Sequence, residues 1–138
     1  MTSNINHIQV IEIPKITNAK GNLSVIEKDI IPFEIKRVFY LYDIRSDENR
    51  IGHAHKNLKQ FLIVLSGSLD VVLNDGKNTK TITLNKPNKG LLLVPGIWRE
   101  LQNFSSGCVL LTIASNEYNE ADYIRNFDDF VLFKNRIA

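Results

Sequence analysis

Turn chemistry interrupts this chain at short intervals, and that punctuation limits the fold more than any other feature. Asn18-Ala19-Lys20-Gly21-Asn22, Ser66-Gly67-Ser68, Asn74-Asp75-Gly76-Lys77-Asn78, Asn85-Lys86-Pro87-Asn88-Lys89-Gly90, Pro95-Gly96 and Ser105-Ser106-Gly107 all carry residues that favour turns. The segments between them are short and rich in β-branched and large apolar residues, which predicts strands over 7–14, 23–27, 36–43, 61–65, 69–73, 79–84, 91–94, 98–104 and 108–114. Many short strands with almost no helix predict an all-β domain: a sandwich, jelly roll or barrel.

Local patterns refine that expectation. Segments 61–65 and 69–73 flank Ser66-Gly67-Ser68 and read as a hairpin. In 36–43, Val38, Tyr40 and Tyr42 share one face, and Arg37, Phe39 and Leu41 the other. Cys108 precedes Val109, Leu110 and Leu111 and is expected in the core. Past Ser115 the chain is polar with spaced aromatics. Tyr123, Phe127 and Phe130 recur at helical spacing, which predicts a short C-terminal helix or turn packed back on the sheets.

Composition excludes several classes. At 138 residues the chain fits one domain, 1–138. No apolar stretch approaches the ~20 residues of a membrane span, and the N-terminus lacks the pattern of a signal peptide. A single cysteine excludes an internal disulfide, and a cytoplasmic location is the simplest expectation. Basic residues are dispersed and the net charge is +2, so neither nucleic acid nor a membrane surface is an expected partner.

Chemistry is concentrated at Gly52-His53-Ala54-His55. On a strand, His53 and His55 point to one face and Ala54 to the other. The spacing then continues through four residues to Gln60 and six more to Gly67. This resembles the first motif of the cupin superfamily, with Gln60 in the position of a metal-binding glutamate. Gly90-Leu91-Leu92-Leu93-Val94-Pro95-Gly96 with Asn103 resembles the second motif, and Trp98 or Arg99 stands where a third histidine ligand belongs. Two imidazoles and a neutral amide are a poor set for a divalent transition metal, so no metal is expected. The histidines are left for proton transfer, to which imidazole is suited near neutral pH.

A longer series narrows the resemblance. It runs through Gly21, Leu23 and Glu27, then Pro32-Phe33-Glu34-Ile35-Lys36-Arg37-Val38-Phe39-Tyr40-Leu41-Tyr42-Asp43. It continues with Gly52-His53-Ala54-His55-Lys56, Gln60, Gly67-Ser68, Asn74-Asp75-Gly76, Pro95-Gly96-Ile97-Trp98, Asn103-Phe104-Ser105 and Asp122-Tyr123-Ile124-Arg125 before Phe130. This order is similar to that of the WxcM-like sugar 3,4-ketoisomerases, cupins that act on dTDP-4-keto-6-deoxyglucose. One departure is Ile51, where the family often has glycine.

The resemblance implies a cupin-type double-stranded β-helix (jelly-roll) barrel and a cofactor-free, metal-free isomerisation. A base removes the proton at C3 of a dTDP-linked 4-keto-6-deoxyglucose, an enediol forms, and reprotonation at C4 leaves a 3-keto-6-deoxyhexose for the biosynthesis of unusual deoxy and amino sugars. His53 and His55 are the candidate catalytic residues, with their roles left open. Tyr40, Tyr42, Gln60 and Trp98 are candidates to line the sugar site. Arg37, Arg50 and Arg99 are candidates for the diphosphate, because guanidinium donors match phosphate oxygens in pairs. The resemblance also implies a homodimer, to which the N-terminal strand offers a sheet edge. Two other readings are a cupin module that binds a nucleotide sugar without turnover and a metal-dependent cupin. Gln60 and the missing third histidine oppose the latter.

Overall fold

The computed structural model describes residues 3–45 and 50–137. A 3-10 turn at Ile5–His7 leads into β1 (Gln9–Glu12), followed by β2 (Lys15–Asn18), β3 (Gly21–Ser24), β4 (Arg37–Leu41), β5 (Arg50–His55) and β6 (Gln60–Ser66). Next come β7 (Leu69–Asn74), β8 (Thr79–Leu84), β9 (Lys89–Leu93), β10 (Trp98–Gln102) and β11 (Val109–Ala114), then β12 (Tyr123–Ile124) and the helix α1 (Phe127–Ile137).

Two five-stranded antiparallel sheets form the body, ordered β1-β9-β6-β11-β4 and β12-β5-β10-β7-β8. From β4 to β7 and again from β9 to β11, each successive strand crosses to the opposite sheet. That alternation is the double-stranded β-helix, the jelly roll expected from the sequence. No helix among the described residues is long and apolar enough to cross a membrane.

One local expectation fails. Ser66-Gly67-Ser68 closes no hairpin: β6 pairs with β9 and β11, and β7 with β8 and β10. The first five residues of β6 are all buried, so the strand has apolar neighbours on both faces and takes the centre of its sheet. Residues of β7 alternate between buried and partly exposed, as on a sheet with one wet face. The turn therefore carries the chain between sheets. Gly67 sits there at φ +77, and a Cβ would fall 2.4 Å from Ser105 Oγ.

Burial explains the layering. Leu62, Val64, Leu73, Leu93 and Leu110 meet between the sheets, and each such side chain contributes roughly 1.5–3 kcal/mol through burial. Phe61, Ile63, Leu92 and Ile113 face the other way and are covered by Ile13, Ile31 and Phe33. A third cluster joins Ala54, Trp98, Ile124 and Phe130, docking α1 on the outer face of the second sheet. The helix begins where the Asn126 side chain accepts the Asp129 N–H, at 3.0 Å. Tyr123 is thus not part of the predicted helix but lies upstream in β12, opposite His55.

Candidate active site

β5 places the two histidines. Ala54 is fully buried in the cluster under α1, so His53 and His55 both project to the inner side, with ring centroids 5.0 Å apart at 89°. Two neighbouring strands complete the group. β10 puts Arg99 opposite His53, and β12 puts Tyr123 opposite His55. The Tyr123 ring lies 4.3 Å from His55 and 5.2 Å from His53, and the Arg125 guanidinium stacks over it at 4.1 Å.

His53, Gln60, Arg99, Tyr42, Thr112 and Arg125 line a cavity of about 670 Å³, together with the apolar side chains of Phe39, Leu41, Leu62 and Leu110. Its volume is that of a small-molecule site. Arg99 is only 3% exposed. Its Nη1 donates to Gln60 Oε1 at 2.6 Å, and its Nε and Nη2 donate to the Ile97 carbonyl at 3.2 and 3.1 Å. The two positions at which the sequence departs from a metal-binding cupin therefore meet, and they meet as a guanidinium–amide pair. Among the described residues, no group of three or more His, Cys, Asp or Glu side chains gathers to hold a metal ion.

The buried cation sets the protonation of its neighbours. Burial, then the charge of Arg99, pushes His53 from 6.5 down to about 2. Burial, then Arg99 and Arg125, pushes His55 down to about 3. Burial lowers Arg99 itself only to about 10, so it stays charged at neutral pH. The site thus holds two neutral imidazoles beside a fixed positive charge. Neutral imidazole can accept a proton, and a fixed guanidinium can stabilise a developing oxyanion.

His55 is 1% exposed and lines a separate recess of about 100 Å³. Its Nδ1 lies 3.0 Å from Asp122 Oδ2. Asp122 also accepts the Asn57 N–H at 2.7 Å and the Leu58 N–H at 3.3 Å. His55 Nε2 is buried with no hydrogen-bond partner. At the rim, Glu120 takes hydrogen bonds from Arg125 and Tyr118, which hold its carboxyl at about 2.

The structure brings together His53, His55, Gln60 and Arg99, and it places Tyr42 at the large cavity. Tyr40 does not line it. Phe39 and Leu41 face inward from β4, and the alternation turns Tyr40 outward, 59% exposed. Trp98 also departs from the expectation: it sits one residue before Arg99 on β10, so its ring points to α1 and packs on Phe127 at 5.3 Å. Arg37 lines the small recess rather than the large cavity, with its guanidinium over the Phe39 ring at 4.3 Å. The Arg50 side chain lies outside the described residues, as does that of Ile51. Asp122, Tyr123 and Arg125 received no site role from the sequence. Tyr123 matched a helical period, and a two-residue strand is too short to show an alternation of its own.

Fold and site define a cupin in which a histidine pair and an arginine–glutamine pair occupy the metal-ligand positions. Residues 6–135 match the family model described as WxcM-like, C-terminal. The chain belongs to the WxcM-like family of sugar 3,4-ketoisomerases. It is 46% identical over 123 residues to the TDP-4-oxo-6-deoxy-α-D-glucose-3,4-oxoisomerase of Aneurinibacillus thermoaerophilus, covering 88% of each chain. Among solved structures, it resembles the WlaRB TDP-quinovose 3,4-ketoisomerase of Campylobacter jejuni, with a TM-score of 0.89, 46% identity and coverage of 93% of this chain and 99% of that one. It also resembles a histidine-to-asparagine mutant of the 3,4-ketoisomerase QdtA from Thermoanaerobacterium thermosaccharolyticum, in complex with TDP-4-keto-6-deoxyglucose. The TM-score there is 0.93, with 40% identity and coverage of 96% and 97%.

Proposed function

We propose that this chain isomerises TDP-4-keto-6-deoxyglucose to a TDP-3-keto-6-deoxyhexose by proton transfer between C3 and C4. The observation that carries the reading is the placement of neutral His53 beside the buried Arg99–Gln60 pair in the large cavity. Relatives named 3,4-ketoisomerases, one of them in complex with TDP-4-keto-6-deoxyglucose, supply the substrate class.

His53 is the imidazole that lines the cavity, so it takes the C3 proton. The electron pair of that C–H bond moves into an enediolate across C3 and C4. Arg99 and the Gln60 amide are the polar groups beside His53 that balance charge on the enediolate oxygens. The O3 hydroxyl proton passes to O4, and reprotonation at C4 leaves the ketone at C3, with no net oxidation. Arg125, which lines the cavity and is paired with Glu120, is a candidate cation for the diphosphate.

The reading includes a single cupin domain, a cytoplasmic location and a homodimer. Support for the dimer is the β2–β3 hairpin, exposed at every position. Its cross-strand pair Ile16 and Leu23 is 58% exposed on each residue. An isolated two-stranded hairpin is marginal in water, and a second copy of the chain supplies the missing apolar cover.

Incubation with TDP-4-keto-6-deoxyglucose in deuterated water, followed by NMR, tests the reaction. The expected result is a 3-keto product with deuterium incorporated at C4. Tight binding without exchange would make the chain a binding module and overturn the reading. Substitution of either histidine by asparagine is expected to abolish turnover with the fold retained.

A further inference from the structure

His55 is an unusual buried group. One ring nitrogen is engaged and the other, Nε2, is buried with no partner. Buried polar atoms without partners are uncommon and call for a reason. Its engaged nitrogen, Nδ1, lies 3.0 Å from Asp122 Oδ2. An ionised carboxylate can only accept a hydrogen bond, so Nδ1 carries the proton of the neutral ring. Nε2 is then left with a bare lone pair, beside the His53 ring at 5.0 Å between centroids.

Asp122 is itself held in place. Its Oδ1 accepts the Asn57 N–H and its Oδ2 the Leu58 N–H, both from the loop that follows β5. Its own backbone carbonyl accepts the Lys56 N–H at 3.0 Å. The next residue, Tyr123, pairs with His55 in β12 and lays its ring against the imidazole. Carboxylate, backbone and aromatic ring thus fix the His55 ring from one side.

We propose that Asp122 is a positioning residue for the isomerisation: it holds His55 in the Nδ1–H tautomer, so that Nε2 is the nitrogen left to share the proton that His53 takes from the sugar. The proton leaves the sugar carbon for the His53–His55 pair, exchanges there with solvent, and the pair delivers a proton to the neighbouring carbon. The electrons stay on the sugar throughout. While the pair carries the proton, the Asp122 carboxylate offsets its positive charge, which is set among Arg99, Arg125 and Arg37. This inference rests on the proposed reaction.

Asp122→Asn separates positioning from structure. The amide keeps an oxygen for the Asn57 N–H but turns an NH2 toward Nδ1. It therefore donates where the carboxylate accepted, and the favoured tautomer of His55 reverses. Nitrogen NMR on protein labelled with 15N-histidine reads the tautomer without substrate, and with only three histidines the signals can be assigned by single substitutions. The expected result is Nδ1–H in the native protein, Nε2–H in Asp122→Asn, and return of Nδ1–H in Asp122→Glu. Activity is expected to follow, with kcat lower by about 10²-fold in Asp122→Asn, partly restored in Asp122→Glu, and KM within about twofold. An unchanged tautomer, or a raised KM with native kcat, would overturn the proposal. Native turnover tests the reaction itself, so failure of that reading and failure of this one are distinguishable.

Discussion

Two histidines held neutral in the fold make stability depend on pH in a calculable way. In the unfolded chain each imidazole titrates near 6.5, whereas the folded values are about 2 for His53 and about 3 for His55. Between those limits the unfolded state binds more protons. The pair's contribution is therefore complete above 6.5 and is lost as the pH falls. For each residue the loss is RT ln(1 + 10^(pKa − pH)), with the unfolded pKa, as long as the folded form stays unprotonated. That gives about 1.4 kcal/mol each at about pH 5.5, and about 2.7 kcal/mol for the pair relative to about pH 7.5. The window lies above the range of ordinary carboxylates, so the histidines dominate it. Urea unfolding at fixed protein concentration, repeated across this window, measures the difference. His53→Asn or His55→Asn is expected to halve the pH dependence, and the double variant to remove most of it; His7 stays in place and cancels. A native protein equally stable at both ends would refute the reasoning. So would a double variant that keeps the full loss.

Three further outcomes follow from the same contacts. Burial is the larger cause of the low histidine values and the charge of Arg99 the next, so Arg99→Met is expected to move the acid limb of the kcat/KM profile upward; an unmoved limb would show that Arg99 does not set their protonation. Gly52→Ala would place a Cβ 2.5 Å from Trp98 Nε1 and 2.7 Å from Glu100 Cγ, and is expected to cost about 1–3 kcal/mol in urea unfolding, with altered fluorescence of the single tryptophan. Ile16→Asp with Leu23→Asp is expected to give a folded monomer by light scattering, against a native dimer; a variant that stays dimeric would place the interface elsewhere.

Much of the fold was legible because strands and turns leave local marks. The apolar runs and their Gly, Pro and Asn boundaries locate the body strands, and His-x-His alternation places both imidazoles on one face, as observed. Strand pairing was not legible in the same way. Ser66-Gly67-Ser68 has the chemistry of a hairpin turn, yet β6 and β7 belong to different sheets: β6 takes β9 and β11 on its two edges and β7 takes β8 and β10, partners that no local stretch names. On β4 the sequence separated the two faces but not which faced inward. The purely apolar pair Phe39 and Leu41 took the cavity, and Tyr40 was left outside.

The site divides along the same line. The sequence by itself determined the histidine pair, the departure from a metal-ligand set at Gln60 and at Trp98 or Arg99, and the family. These follow from residue identity at short, fixed spacing. Only the tertiary structure decided that Arg99 bonds to Gln60, that Asp122 engages His55 across 67 positions of chain, and that Trp98 serves the helix rather than the cavity. Those contacts depend on which strands lie side by side and how deeply each is buried. Both are settled by the packing of the whole chain, and neither is encoded in any local stretch.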